Sequence, residues 1–262
     1  MSGPADGTAQ ALARLYDLDL AEDPGDLDLY LALAARTGGP ILELAAGTGR
    51  LAVPLAAAGQ TVTAVDIDPA MLARARRRAE AAGPAIRDRI DFVDADLLGL
   101  ELPDSAAFRL AFIPLNSLFL LATREAQREA FATMARHLAP GGIAVADIWL
   151  PDADDLARFD GRLILEYERT DPETGELVTK TAAAQHDTAS GIVNLTSIFE
   201  EGPQGGPTRR WIRHDALRLV SAGELQDFAE SAGLTVETLA GGYDLEPIGP
   251  GSDRAILVAE RR

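Results

Sequence analysis

The chain of 262 residues contains no cysteine and only three histidines. The absence of thiols excludes disulfides, thiolate metal sites and a cysteine nucleophile, although it leaves the redox compartment undetermined. No window of about 18 uncharged apolar residues occurs, so the sequence predicts no membrane span. The N-terminus has neither a basic region nor an apolar core, and without a secretory signal a cytoplasmic location is expected.

Basic residues are scarce as well. Lysine and arginine total 24 against 41 aspartates and glutamates, which gives a formal net charge of −17. Such a chain repels a phosphate backbone unless a local basic patch intervenes. The tight basic cluster of Arg74, Arg76, Arg77 and Arg78 falls on a predicted helix, and we interpret it as a solvated face. Nucleic acid is therefore not expected as a partner.

Apolar residues make up 47% of the chain, enough for a sizeable core. From residue 40 onward, short apolar runs alternate with longer helical patterns. This alternation predicts a parallel, doubly wound α/β sheet. The predicted strands span 41–45, 61–66, 89–93, 108–114 and 142–148, and the predicted helices span 49–58, 69–82 and 123–138.

The pattern changes between residues 152 and 220. Four β-favouring runs, near 163–170, 177–185, 192–200 and 208–219, are separated by turns rich in proline and glycine. They predict an inserted antiparallel meander, after which a helix and two strands, 234–239 and 255–260, complete the core. The predicted domains are therefore an N-terminal helical cap at 1–37, a core at 38–151 and 221–262, and the inserted sheet at 152–220.

A small-residue loop, Ala45 to Arg50, follows the first predicted strand. Its glycines allow close approach of a ligand to the backbone, and the helix that follows presents free N–H groups. Residues 47–52 fit the dinucleotide pattern G-x-G-x-x-A, with an acid about twenty residues further on. Glu43, inside the strand end, and Ala45, where a dinucleotide loop starts its turn, favour a different nucleotide cofactor.

The pattern E-x-A-x-G-x-G resembles motif I of the class I S-adenosylmethionine (SAM) methyltransferases. Segments 62–72, 92–97 and 112–119 are similar to later motifs of that family and follow in the same order. The resemblance covers 41–150 and 221–262. It implies a seven-stranded Rossmann-like sheet with an antiparallel terminal hairpin, SAM as cofactor and S-adenosylhomocysteine as product.

The resemblance also implies roles for cofactor-binding residues. Glu43 would contact the methionine amine, Asp66 would accept both ribose hydroxyls, and Asp96 would accept the adenine amine. For Asp66 the alternative is a helix cap, a role that suits the nearby Asp68 better, and for Asp96 it is a solvated loop acid. Tyr16 would cover the cofactor as a lid, with core packing as the alternative, and Arg50 would bind the cofactor carboxylate, with an exposed helix arginine as the alternative. Leu97 would contact the adenine through its N–H. The other cofactor contacts implied are Ala45, Gly47, Gly49, Ile67, Met71 and Leu115.

On the acceptor side, the Asn116-Ser117 pair resembles that of the glycine and amino-sugar small-molecule N-methyltransferase group. There the asparagine helps to hold the substrate. An asparagine within a strand is costly unless it is hydrogen-bonded, so a structural turn is the alternative. Trp149 and Tyr243 map to the rim above the methyl, as pocket walls or as ordinary aromatic packing.

Methyl transfer is an in-line displacement, so the protein mainly aligns the nucleophile and excludes water. An amine acceptor must be neutral to attack, and a base would assist. The catalytic candidates are Asn116, Tyr16, His186 and His214, with an exposed strand position as the alternative for each histidine. No metal ligand set is expected, and the inserted sheet either roofs the pocket or builds a homodimer.

We therefore expect a SAM-dependent methyltransferase of a small molecule. Nitrogen is preferred as the acceptor over oxygen or carbon on analogy alone. Two other functions stay open, namely an NAD(P)-dependent oxidoreductase and a non-catalytic subunit with this fold.

Overall fold

The structure, a computed structural model, describes residues 4–103 and 106–262. Their contacts divide the chain into two compact units. One contains residues 4–23 and Pro151–Leu219, and the other contains Pro24–Leu150 and Val220–Arg262. The segment 1–37 is predicted as one cap, yet its described residues, 4–37, are divided between the two units. In the described part of the chain, no helix has the length and apolarity needed to cross a membrane.

The larger unit is built on a seven-stranded sheet in the order β10-β11-β5-β4-β1-β2-β3. The five strands from β1 to β5 pair in parallel, while β11 runs antiparallel to both β5 and β10. The predicted fold class is confirmed. The strands of this sheet are β1 (Ile41–Leu44), β2 (Val62–Asp66), β3 (Ile90–Asp94), β4 (Phe108–Ile113), β5 (Leu138–Trp149), β10 (Leu234–Ala240) and β11 (Arg254–Arg261).

Helices connect these strands, and several begin where the sequence supplies a cap or a proline. Asp68 caps α4 by accepting from the Ala70 N–H at 2.8 Å, and proline occupies its first turn. Ser221 and Glu224 form a capping box at the start of α8. The helices of this unit are α2 (Leu27–Thr37), α3 (Ala52–Ala57), α4 (Pro69–Ala82), α5 (Pro84–Arg87), α6 (Arg124–His137) and α8 (Ala222–Ser231).

One predicted boundary is wrong. The predicted helix ends at residue 138 and the predicted strand begins at residue 142, yet β5 already begins at Leu138. Leu138 pairs with Phe108 of β4, and the register then shifts before Leu110 pairs with Ile143. Proline and glycine therefore mark an irregularity inside the strand rather than its start.

The smaller unit contains the predicted meander as a four-stranded antiparallel sheet in the order β6-β7-β8-β9. Helix α1 (Pro4–Asp19) packs against this sheet through Leu15 and Leu18, which form a buried cluster with Val178 and Phe199. The other elements of this unit are α7 (Ala153–Arg158), β6 (Ile164–Thr170), β7 (Leu177–Asp187), β8 (Ile192–Gly202) and β9 (Arg209–Arg218).

Candidate active site

The candidate site lies in the larger unit, at the carboxyl ends of β1, β2 and β4. The strand order reverses between β1 and β4, and ligands of open α/β sheets bind at such a switch point. The loop after β1 has the backbone expected of a ligand cradle, because Ala45, Gly47 and Gly49 all have positive φ, at 56°, 55° and 74°. Gly49 is also restricted by packing, since a Cβ there would lie 3.1 Å from the Ala75 Cβ of α4. The loop is thus pressed against α4 at the start of α3.

Glu43 lies in β1 directly before this loop and is 1% exposed. Its Oε2 atom is buried and has no hydrogen-bond partner within residues 4–103 and 106–262. Burial raises the pKa of this carboxyl to about 8, although the nearby Arg50 guanidinium opposes that rise. A buried carboxylate oxygen without a donor is costly for the protein alone and suits a cationic ligand.

Arg50 has a partner that the sequence did not reveal. Its two terminal nitrogens donate to the two carboxylate oxygens of Asp26, each at 2.6 Å. Asp26 is fully buried at the start of α2. The contact of Arg50 with a cofactor carboxylate stays a prediction. In the structure the guanidinium is already paired with Asp26.

Asp66, at the end of β2, connects the loop to the next helix. Its Oδ2 accepts from the Gly47 N–H at 2.7 Å, and its Oδ1 accepts from the Asp68 N–H at 2.9 Å. Burial raises the pKa of Asp66, and these N–H bonds oppose that rise. Each carboxylate oxygen can accept more than one bond, so a ribose diol remains compatible with this geometry. Ile67, next in the chain, is 66% exposed and offers an apolar surface beside it, while Met71 is buried.

Asp96 follows β3 in an exposed turn. Its Oδ1 accepts from the Leu98 N–H at 2.9 Å, and the Leu97 carbonyl accepts from the hydroxyl of the buried Thr133 at 3.0 Å. These bonds fix the turn at the same edge of the sheet as Asp66, since β2 and β3 pair in parallel up to Asp66 and Asp94. The adenine contacts predicted for Asp96 and Leu97 stay predictions.

The basic cluster of α4 is more than a solvated face. Arg76 and Arg77 are exposed, but Arg78 is half-buried and donates to the Thr48 carbonyl at 3.1 Å. Thr48 lies between the two loop glycines, so this bond from Arg78 of α4 stabilises the loop. Nothing in the sequence around Arg78 predicts this contact with the glycine loop.

Leu115 and Asn116 form a tight turn directly after β4, with φ of 47° and 60°. The mid-strand position considered for Asn116 is wrong, because β4 ends at Ile113 and a short 3₁₀ helix begins at Ser117. The Asn116 Oδ1 atom accepts from the Trp149 N–H at 2.5 Å. Asn116 therefore has a structural role in this turn, whether or not it also contacts a substrate.

Tyr243 and Trp149 reach the same region. The Tyr243 hydroxyl donates to Asp147 Oδ2 at 3.2 Å, and the Trp149 backbone is bound to Asn116. Sequence reasoning missed four buried or half-buried residues here, namely Asp26, Tyr30, Asp147 and Arg254. Tyr30 in α2 and Asp147 in β5 each carried a signal, a polar group inside an apolar run, whereas Asp26 and Arg254 carried none.

Tyr16, His186 and His214 belong to the smaller unit. Tyr16 is half-buried on α1. His186, on β7, is half-buried and its backbone N–H donates to the Phe159 carbonyl at 3.0 Å. His214, on β9, is exposed, and its Nδ1 lies 3.0 Å from the Thr196 hydroxyl. Strand β8 separates the two histidines, and the catalytic roles of all three residues stay predictions.

Comparison with known proteins identifies a domain in the larger unit. Residues 41–142 match the family model described as a methyltransferase domain. A demethylmenaquinone methyltransferase from Thermus thermophilus is 41% identical over 118 residues, which cover 44% of this chain and 48% of that protein. The cypemycin N-terminal methyltransferase of a Streptomyces species is 29% identical over 226 residues, covering 86% of this chain and 84% of that protein.

Solved structures extend the similarity of fold to nearly the whole chain. The CcbJ methyltransferase from Streptomyces caelestis has a TM-score of 0.76 at 24% identity, covering 92% of this chain and 98% of that one. An amino pentose methyltransferase from Micromonospora echinaspora, solved with SAM bound, has a TM-score of 0.69 at 20% identity, covering 95% and 97%.

The strand order and the glycine loop define a class I methyltransferase fold. Residues 41–142 match the methyltransferase domain, and the fold of the larger unit is that of the class I methyltransferases.

Proposed function

We propose that this protein transfers a methyl group from SAM to a small-molecule acceptor and that the acceptor atom is an amine nitrogen. The observation that carries the cofactor assignment is Glu43, whose buried Oε2 has no hydrogen-bond partner in the described ranges 4–103 and 106–262. An ammonium group supplies the donor and the charge that this oxygen lacks. The nicotinamide dinucleotides have no such ammonium group, so Glu43 favours SAM over NAD(P).

The other residues of the edge fit the remaining parts of SAM. Asp66 would bind the ribose hydroxyls, the exposed side chain of Ile67 would pack on the adenine, and Asp96 with the Leu97 N–H would bind its polar edge. When bound, SAM supplies an electrophilic methyl group on a sulfonium. The chain's own contribution is to orient the acceptor through the Leu115–Asn116 turn and to exclude water.

An amine acceptor is supported by two relatives and by charge. The cypemycin enzyme is named for N-terminal methylation and the Micromonospora enzyme for an amino pentose, and both cover most of this chain. A net charge of −17 also attracts a cationic amine. The demethylmenaquinone enzyme favours a different acceptor, but its similarity covers only 44% of this chain.

The test has a binding arm and a turnover arm. Isothermal titration with SAM, S-adenosylhomocysteine and NAD should give binding of the first two only. Formation of S-adenosylhomocysteine should then be followed with a panel of aliphatic amines and amino sugars, matched against their hydroxyl analogues. Turnover with amines alone supports the proposal, and turnover with hydroxyl compounds alone overturns the choice of nitrogen. Binding of NAD but not of SAM overturns the assignment of SAM as cofactor. Binding of SAM without turnover of any panel member overturns the proposed activity in favour of a non-catalytic subunit with this fold.

The matched variants are Glu43→Gln and Glu237→Gln. At pH 9, where most of the wild-type carboxyl is ionised, the first removes the charge beside the glycine loop and should weaken binding of S-adenosylhomocysteine by a factor of about 100, in line with loss of a charge-assisted bond. The second removes a surface carboxylate that pairs with Arg36 at 2.8 Å and should leave binding unchanged.

A further inference from the structure

Asp147 is a fully buried acid near the carboxyl end of β5, where its neighbours in the strand are apolar. Its carboxylate collects donors from three parts of the chain. Arg254 of β11 donates to Oδ1, while the Leu115 N–H and the Tyr243 hydroxyl donate to Oδ2 at 3.1 and 3.2 Å. A buried carboxylate is costly unless such partners are present, so this acid is held by a complete set of bonds.

The turn that Asp147 holds has a backbone that side-chain-bearing residues avoid. Leu115 and Asn116 both lie in the left-handed region, where asparagine is tolerated but leucine is rare. Such a conformation persists only where the surroundings determine it. Here the Leu115 N–H is bound by the Asp147 carboxylate, and the Asn116 N–H is bound by the Asp147 carbonyl at 3.1 Å.

The remaining contacts join this turn to the aromatic residues of the same edge. Asn116 Oδ1 accepts from the Trp149 N–H, which ties the turn to the end of β5. The Arg254 guanidinium lies 4.9 Å from the centre of the Tyr243 ring while it pairs with Asp147. The three residues predicted to line the acceptor side are therefore all connected to Asp147. Tyr243 binds its carboxylate directly, Asn116 binds its carbonyl and follows the carboxylate-bound Leu115, and Trp149 is joined to it through Asn116.

We infer that Asp147 is a positioning residue that holds the Leu115–Asn116 turn and Tyr243 in the geometry needed by the methyl acceptor. This inference rests on the proposed function. A buried ion pair with Arg254 that served stability alone would require neither the left-handed turn nor the Tyr243 bond. The inference predicts that loss of the carboxylate impairs the acceptor step, while cofactor binding, which mainly uses the ends of β1, β2 and β3, is retained.

The experiment compares three variants. The first is a paired variant with both Asp147→Asn and Arg254→Met, the second is Tyr243→Phe, and the third is the surface control Glu237→Gln. The paired substitution is used because Asp147→Asn alone leaves the arginine charge without its partner. For each protein, kcat and KM are measured with the best amine of the panel, and the Kd of S-adenosylhomocysteine is measured by titration. We expect kcat/KM to fall about 100-fold in the paired variant and several-fold in Tyr243→Phe, with each Kd within twofold of the wild type.

Three outcomes overturn the inference. Unchanged kcat/KM in both site variants, with only a lower thermal midpoint, makes Asp147 purely structural. A parallel loss of S-adenosylhomocysteine affinity and kcat/KM means general disruption of the site. If the paired variant does not fold, the same comparison of kcat/KM with Kd is made on the milder Tyr243→Phe variant. A wild-type protein that does not turn over SAM overturns the proposed function together with the inference, whereas an active wild type with active variants overturns the inference alone.

Discussion

Glu43 is a buried titratable residue beside the proposed cofactor site, so the ionisation of its carboxyl affects folding and the proposed cofactor binding together. Burial raises its pKa from 4.5 to about 8, and the charged groups around it are Arg50, Asp26 and Asp66. The folded chain therefore keeps a proton that the unfolded chain releases above pH 4.5. The stability contributed by this group is complete below that pH and is lost as the pH rises through 8.

We predict that Glu43→Gln makes stability less dependent on pH, because glutamine keeps the shape of the side chain without titrating. Urea unfolding between pH 5 and pH 9 should show a smaller decline for the variant than for the wild type. Wild-type affinity for S-adenosylhomocysteine should rise over the same range, since the ionised carboxylate binds the ammonium more strongly, and it should stay flat in the variant. Parallel pH profiles for the two proteins would contradict this role of Glu43.

Gly49 is restricted in two ways that can be separated. Its φ of 74° disfavours a side chain, and a Cβ would meet Ala75 at 3.1 Å. Gly59 has a φ of 95°, yet apart from its chain neighbours no atom of the described ranges lies within 4 Å of a Cβ placed there. We predict that Gly59→Ala costs about 1 kcal/mol from backbone strain, and that Gly49→Ala costs about 2–3 kcal/mol because overpacking adds to the strain. Equal losses in urea unfolding would mean that the contact with α4 is unimportant.

At the scale of the element, the start of α4 carries two acids with different roles. Asp68 caps the helix through the Ala70 N–H, whereas Asp66 lies at the end of β2 and binds the Gly47 N–H. We predict that Asp68→Ala lowers the free energy of unfolding by about 1 kcal/mol and leaves S-adenosylhomocysteine affinity nearly unchanged. Asp66→Asn should weaken that affinity at least tenfold. The two acids would have exchanged roles if calorimetry showed the larger loss of affinity in Asp68→Ala.

Sequence reasoning succeeded for the elements whose signal is local. The alternating runs, the Asp68 cap and the four inserted strands needed only periodicity and turn chemistry, and their bounds agree with the structure to within a few residues. It failed where distant segments decide the outcome. The pairing of β4 with β5 starts the latter strand at Leu138, and the Asp147 carbonyl and carboxylate bend the chain at Leu115 and Asn116.

The same distinction applies to the candidate site. Glu43, Asp66 and the loop glycines belong to a recognisable motif with fixed spacing. Asp26 and Arg50 are 24 residues apart, and Asp147 and Arg254 are 107 residues apart, with no spacing rule to join them. Such pairs depend on the order of strands in the sheet, which a single sequence does not encode in any local pattern.

At the scale of the whole molecule, three segments that are distant in the sequence form one edge of a sheet. The loop at 45–50, the turn at 66–71 and the turn at 96–98 follow β1, β2 and β3, which are adjacent and parallel. A cofactor that binds at this edge must order all three together. The stretch 139–142 lies at the opposite, amino end of the sheet, since Leu138 pairs with the first residue of β4, and it serves as an internal control.

We predict that S-adenosylhomocysteine slows amide hydrogen exchange in these three segments and leaves 139–142 unchanged. At a ligand concentration of 1,000 times Kd, mass action adds about 4 kcal/mol to the stability of the folded state, so global unfolding also becomes rarer. Exchange must therefore be compared at short labelling times, when only local opening contributes. Protection of 45–50 and 66–71 without 96–98 would mean that adenine does not reach Asp96. Equal protection at 139–142 would mean that the ligand stabilises the sheet as a whole without binding at its carboxyl edge.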